Sequence, residues 1–230
     1  SERHEPFALT DVQQAYWIGR STSFELGNVA AHGYFEVERE ALDYERFCGV
    51  WMTLVQRHDM LRMIVNADGQ QQILADVGHY QPPVIDLRDQ SEEQAQQTIN
   101  QIREEMASQV MPSDQWPLFD IRVSLMPDST VRIHMSFDAL IMDAWSSMIL
   151  GREFSALYQD PSTELPTLEL TFRDYVLAEA AQTREPTYRK AQDYWTSRLD
   201  TLPPAPDLPL AVRPDSLDKP GFTRREARLE

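Results

Sequence analysis

The first regular pattern follows Thr10, a residue suited to cap a helix, after which Val12, Ala15, Tyr16 and Ile18-Gly19 recur at roughly helical spacing. Residues 33–37 read as a short strand, favoured by Tyr34 and Phe35. Asp43 can cap the next helix. Along it Phe47, Val50, Trp51, Leu54 and Val55 form one continuous apolar stripe. Residues 61–65 and 72–77 read as strands around Asp68-Gly69, a pair that favours a tight hairpin. After Pro82-Pro83 comes a third short run, 84–87. The polar stretch 91–111 carries Ala95, Ile99, Ile102, Met106 and Val110 on one stripe, which predicts a surface helix with a solvated outer face. Residues 121–125 and 131–137 form the strongest strand pair, turning at Pro127-Asp128. Helices follow from about 143 to 158, near 171–182 and near 186–199. Strands alternating with helices, hairpins included, predict a mixed sheet with helices packed on it, an α/β or α+β sandwich. Residues 201–220 hold six of the fifteen prolines and read as an extended connector, with one more strand at 222–229.

Composition narrows the function classes. A chain of 230 residues with 42% hydrophobic residues can bury a real core, so wholesale disorder is excluded. The 21 basic and 37 acidic residues leave a net charge of −16, which argues against nucleic acid or anionic membrane surfaces as main partners. No stretch approaches the roughly 18 apolar residues of a membrane span, and Ser1-Glu2-Arg3-His4 lacks a signal-peptide pattern. Cys48 is the sole cysteine, so neither an internal disulfide nor a cysteine metal cage is available, and a reducing, cytoplasmic setting is expected. Histidines 4, 32, 58, 79 and 134 lack metal-ligand spacing, and His134, in a strand beside Met135, is expected to be a packed, hydrogen-bonded residue. No phosphate-binding loop, dinucleotide fingerprint or nucleophile elbow is present.

The informative stretch runs from Ser136 to Ser146. Asp138 ends an apolar strand and Asp143 opens a helix, with Ser146 three residues on. On a continuous helix the two carboxylates would lie about 140° apart, but at a strand-to-helix turn they can converge at the end of the sheet where ligands bind. The bland alternative is that Asp143 is only a cap and Asp138 only a turn residue. Asp138 lies among Phe137, Ala139, Leu140, Ile141 and Met142, so if buried it needs a partner. Arg62, in the run Arg57-His58-Asp59-Met60-Leu61-Arg62, is the expected one, unless it is a solvated residue at a strand end.

Together these residues resemble the heterocyclization (cyclization) domains of nonribosomal peptide synthetases, relatives of condensation domains. Residues 9–20, Leu-Thr-Asp-Val-Gln-Gln-Ala-Tyr-Trp-Ile-Gly-Arg, resemble their first motif, and residues 57–62 the second. Asp138, Asp143 and Ser146 match the D-x-x-x-x-D-x-x-S pattern, and Pro117-Leu118-Phe119 with Arg122 is also similar to family sequence. The resemblance implies a chloramphenicol-acetyltransferase-like fold, in which two lobes form a V around a tunnel. Residues 1–200 are then expected to be the N-terminal lobe, 201–220 a connector, and 221–230 the start of a crossover strand into a C-terminal lobe not included in this chain. Ordinary condensation domains carry H-H-x-x-x-D-G here; in this register the second histidine falls on Ala139, so no imidazole base is available there.

The resemblance further implies amide formation between a carrier-bound acyl donor and carrier-bound Cys, Ser or Thr, then cyclodehydration to a thiazoline or oxazoline. Asp138, Asp143 and Ser146 are expected at the site as positioning or supporting groups, with Asp143 paired to Arg62. Tyr16, Trp17 and Ala139 are placed along the substrate tunnel by the resemblance, although for Tyr16 and Trp17 packing is the favoured role, since an aromatic stripe at helical spacing is more often core. Expected partners are donor and acceptor peptidyl or aryl carrier proteins, with phosphopantetheine supplied by those carriers, and the chain's own C-terminal lobe. The domain itself is expected to need no metal, nucleotide or redox cofactor. The competing expectation is a non-catalytic condensation-like module that docks carrier proteins.

Overall fold

The computed structural model describes residues 2–20, 29–204, 206, 209, 211, 212 and 216, so the strand expected at 222–229 lies outside the described residues. In chain order the elements are β1 (Phe7–Ala8), α1 (Asp11–Gly19), β2 (His32–Arg39), α2 (Tyr44–Arg57), β3 (Met63–Val65), β4 (Gln70–Ile73), β5 (Val84–Asp86), α3 (Glu92–Ser108), β6 (Phe119–Leu125), β7 (Val131–Asp138), α4 (Ala144–Gln159), α5 (Phe172–Gln182) and α6 (Pro186–Thr196). Capping chemistry sets several boundaries. Thr10 and Gln13 close a reciprocal capping box on α1, as Ser91 and Gln94 do on α3, while Asp43 caps α2 through the Arg46 amide at 3.0 Å.

The main sheet has the order β2-β7-β6-β5, antiparallel except for the β5–β6 pair. Period-two alternation divides its side chains. Ile133, Phe137, Phe119 and Ile121 pack with Trp51 and Leu54 of α2 and Leu150 of α4. The opposite face carries α3, whose Ala95, Ile99, Ile102 and Met106 form a second apolar cluster with Leu87 and Met126. Trp51 meets Phe119 edge-on with ring centres 5.1 Å apart. Truncating Phe119, which is fully buried, is a loss of about 3–5 kcal/mol by the usual cost of aromatic-to-alanine changes.

A small sheet, β1-β4-β3, flanks the main one. Its hairpin turns at Gly69 with φ +80°, a conformation glycine takes without strain. A Cβ there would also stand 3.2 Å from the Trp17 ring, close enough to press on it. The two strands are shorter than the sequence pattern predicts. Residues 59–62 wind into a 3-10 turn, so β3 starts at Met63. After Ile73 the chain leaves β4, and the Leu74 carbonyl instead accepts from the Arg62 guanidinium at 2.5 Å.

Candidate functional site

At the end of β7 where α4 begins, the molecule opens a groove of about 720 Å³. Its walls come from α1 (Gln13, Tyr16) and its cap Thr10, the start of β2 (His32, Gly33) and the turn Ala139–Asp143 with the first residues of α4. Asp143 caps α4. Its Oδ1 accepts from the Ser146 amide at 2.7 Å and from the Ser146 hydroxyl at 2.6 Å. The Ser146 hydroxyl and amide bonds hold the Asp143 carboxyl below the usual range, so it is an anion at neutral pH. Both side chains are exposed to the groove, and Tyr16 and Ala139 line it too.

Asp138 sits elsewhere. It is fully buried and lies outside the groove lining, so of the two roles expected for it, positioning and support, only support from beneath the surface is open to it. Strand alternation explains this: Asp138 follows His134 and Ser136 on the α3 side of the sheet, whereas Phe137 and Ala139 point to the groove. Its Oδ2 pairs with the Arg20 guanidinium, and its Oδ1 accepts from the Leu140 amide at 2.9 Å. Arg20 also donates to the Met111 carbonyl at 2.8 Å. Burial lowers Arg20 to about 10, which leaves it cationic at neutral pH. The ion pair ties the end of α1 to the end of β7, directly under the groove. Beside it, the buried Gln13 amide donates to the Leu140 carbonyl at 2.8 Å and exchanges hydrogen bonds with Gln71.

The expected pairing of Arg62 with Asp143 does not form. Arg62 pairs with Asp59 at 2.7 Å, which also takes Arg3, and spends its remaining donors on the Val55, Gln56, Leu74 and Ala75 carbonyls. The bonds to Val55 and Gln56 close the C-terminal end of α2, where unpaired carbonyls favour a cation, and those to Leu74 and Ala75 hold the chain that leaves β4. No ion pair joins Arg62 to Asp143 among the described residues. Trp17 lies outside the groove and takes the packing role instead of the tunnel one. Neighbours on a helix point about 100° apart, so Tyr16 facing the groove turns Trp17 away from it. Its ring lies on Gly69 and its indole donates to the Ser113 hydroxyl at 3.2 Å.

The rest of the second motif links helices. Arg57 and His58 converge on Glu153 of α4 at 3.0 and 2.7 Å. Burial pushes the Glu153 carboxyl up, but these two bonds outweigh it and hold it below the usual range. His134 belongs to a separate network on the α3 face, with Tyr34 at 2.9 Å and Ser124 at 3.0 Å. Burial lowers it to about 4, so the ring is neutral at physiological pH. Glu36 completes that network. Burial pushes its carboxyl up, yet the bonds from Arg103 and Tyr34 outweigh this and hold it at about 2.

Sequence reasoning missed Arg20 as the partner of Asp138, and it missed Gln13 and Phe172 at the groove. Arg20 closes the first motif and was the available signal. Gln13 carried a weaker one, as the third residue after a Thr cap.

The mixed sheet carries the D-x-x-x-x-D-x-x-S run at the turn from β7 into α4, where the resemblance to condensation-type lobes implies it. The chain belongs to the condensation-domain family, whose model matches residues 4–226. It is 39% identical over 227 residues to bacitracin synthase 1 of Bacillus licheniformis, covering 99% of this chain and 4% of that protein. It is 34% identical over 220 residues to the phenyloxazoline synthase MbtB of Mycobacterium sp. (strain MCS), covering 96% of this chain and 18% of that protein. Among solved structures, the EpoB cyclization-docking bidomain from Sorangium cellulosum superposes with a TM-score of 0.87 at 33% identity, covering 94% of this chain and 43% of that one. The chain therefore spans less than half the length of each of these proteins. No described helix is long and apolar enough to cross a membrane.

Proposed function

We propose that this chain is one lobe of a heterocyclization domain. The full domain joins an acyl group, held as a thioester on a donor carrier protein, to the amine of Cys, Ser or Thr held on an acceptor carrier. The amine displaces the donor's phosphopantetheine thiol. The side-chain thiol or hydroxyl then adds to the new amide carbonyl, and the tetrahedral oxygen leaves as water to give a thiazoline or oxazoline. No net oxidation occurs in either step, so the chemistry calls for no redox cofactor. Similarity to a protein named phenyloxazoline synthase and to a cyclization domain supports this reading.

The observation that carries it is the groove at the head of α4, where Ala139 stands beside the exposed Asp143–Ser146 pair. Ala139 offers no proton acceptor, which disfavours a histidine-type base at that point. Asp143, anionic and held by Ser146, is a weak base and a strong hydrogen-bond acceptor. Its role is to orient an amine or amide N–H near the reacting carbonyl, a positioning effect rather than proton transfer. Asp138 supports the same turn from below through Arg20 and the Leu140 amide. The reading is tested by incubating the full-length protein with loaded donor and acceptor carriers and weighing the acceptor. A product lighter by one water than the open amide supports it. Transfer without water loss points to plain condensation, and carrier binding without any transfer points to a docking module.

A further inference from the structure

Behind the head of α4, on the side away from β2, lies a second concavity of about 250 Å³, bounded by the end of α2, by α4 and by residues 168–172. Five residues line both it and the groove: Met60, Ile141, Met142, Ser146 and Phe172. The two spaces therefore share one wall. Two of its members are methionines, unbranched side chains that change rotamer without moving the backbone. A third, Ser146, is small and has its hydroxyl turned to Asp143. Past that wall the recess is lined by Leu61, Ile149, Leu150 and Leu168.

Ionisable side chains do stand at the recess, but each is already engaged. Arg3 pairs with Asp59 at 2.7 Å, and Arg57 and His58 pair with Glu153 at 3.0 and 2.7 Å. The recess thus offers apolar contact and no uncommitted charge, which selects for a neutral, apolar occupant. An apolar cavity of about 150 Å³ already takes up benzene. A space of about 250 Å³ has room for one ring or a short branched chain.

We infer that this recess receives the apolar end of the donor acyl group, entering from the groove past Met60 and Met142. The inference rests on the heterocyclization reading above, which supplies the two candidate substrates. The Cys, Ser or Thr side chain of the acceptor is small and polar, and must stay at the carbonyl it attacks. The donor acyl group is the substrate part that can extend away from the reacting centre into apolar surroundings. The recess then sets which donors the domain accepts, and its volume and apolar lining favour an aryl or branched acyl group over acetyl.

The test uses the full-length protein and two donor probes, the benzoyl and acetyl thioesters of N-acetylcysteamine, with methyl NMR on labelled Met, Ile and Ala. The benzoyl probe is expected to shift the Met142 and Ile149 methyl signals saturably, whereas acetyl leaves Ile149 in place. Ile149→Trp, which fills the recess, is expected to lower the benzoyl-to-acetyl affinity ratio about ten-fold. A saturable benzoyl shift confined to Ala139 and other groove residues would overturn the inference, as would no benzoyl binding at all or an unchanged ratio in Ile149→Trp. Failure of the carrier assay with intact probe binding in the recess would count against the heterocyclization reading and leave the recess assignment standing.

Discussion

The two carboxylates of the D-x-x-x-x-D run do different work. Asp138 is buried with its counter-charge, and removing one member of such a pair strands the other in a low-dielectric site. Arg20→Ala and Asp138→Ala are each expected to lower unfolding free energy by about 3–5 kcal/mol, with the double variant losing much less than the sum. Urea unfolding of the three variants checks this; additive losses would show that the two side chains act independently. Asp143 is exposed and serves as a cap, a position where Asn works about as well as Asp. Asp143→Asn should therefore leave stability within about 0.5 kcal/mol of the parent. The sequence places both aspartates at a strand-to-helix turn but is silent on their partners. Arg20 lies 118 positions from Asp138, and nothing in local spacing says which of several cations at element ends will meet a given carboxylate. Arg62 was the nearer guess, and the open carbonyls at the end of α2 claim it instead.

At the level of elements, the β2–β7–α3 layer carries a pH dependence of known sign. His134 is neutral in the folded protein because burial lowers it from 6.5 to about 4. Between those values the unfolded chain binds more protons, so stability falls as pH drops from about 6.5 towards 4. From pH 7 to pH 5 the expected loss is about 2 kcal/mol from this group. Glu36, held at about 2, adds a further loss only below about 4.5, as its unfolded carboxyl protonates first. Unfolding free energies at pH 7 and 5 should show the first loss, and His134→Asn should flatten it; an equal slope in the variant would place the titration elsewhere. Element identity itself was legible where a long stripe sets it. The apolar positions of α2 and α3 lie on the buried faces that periodicity indicates. Boundaries at β3 and β4 were not, because a 3-10 turn and the reach of Arg62 shorten strands that read as longer apolar runs.

Across the whole molecule, apolar surface concentrates where the fold presents no cover. Tyr188, Tyr194, Trp195 and Leu199 on and after α6 are between 47% and 61% exposed, and Phe35 on the groove side of β2 is 40% exposed. Patches of this kind mark interaction surfaces. The 230-residue chain by itself is expected to self-associate at micromolar concentration in sedimentation velocity; a single monomeric boundary across that range would contradict this. The groove is similarly open. The central claim is that the exposed Asp143–Ser146 pair orients the reacting groups while the buried Asp138–Arg20 pair only holds the turn. Its most direct measurement is the ratio of cyclised to open-chain product on the acceptor carrier, read by intact mass, for Asp143→Asn in the full-length protein. The account predicts a ratio about ten-fold lower, equivalent to about 1.4 kcal/mol, with stability unchanged; a ratio equal to that of the parent protein would contradict it.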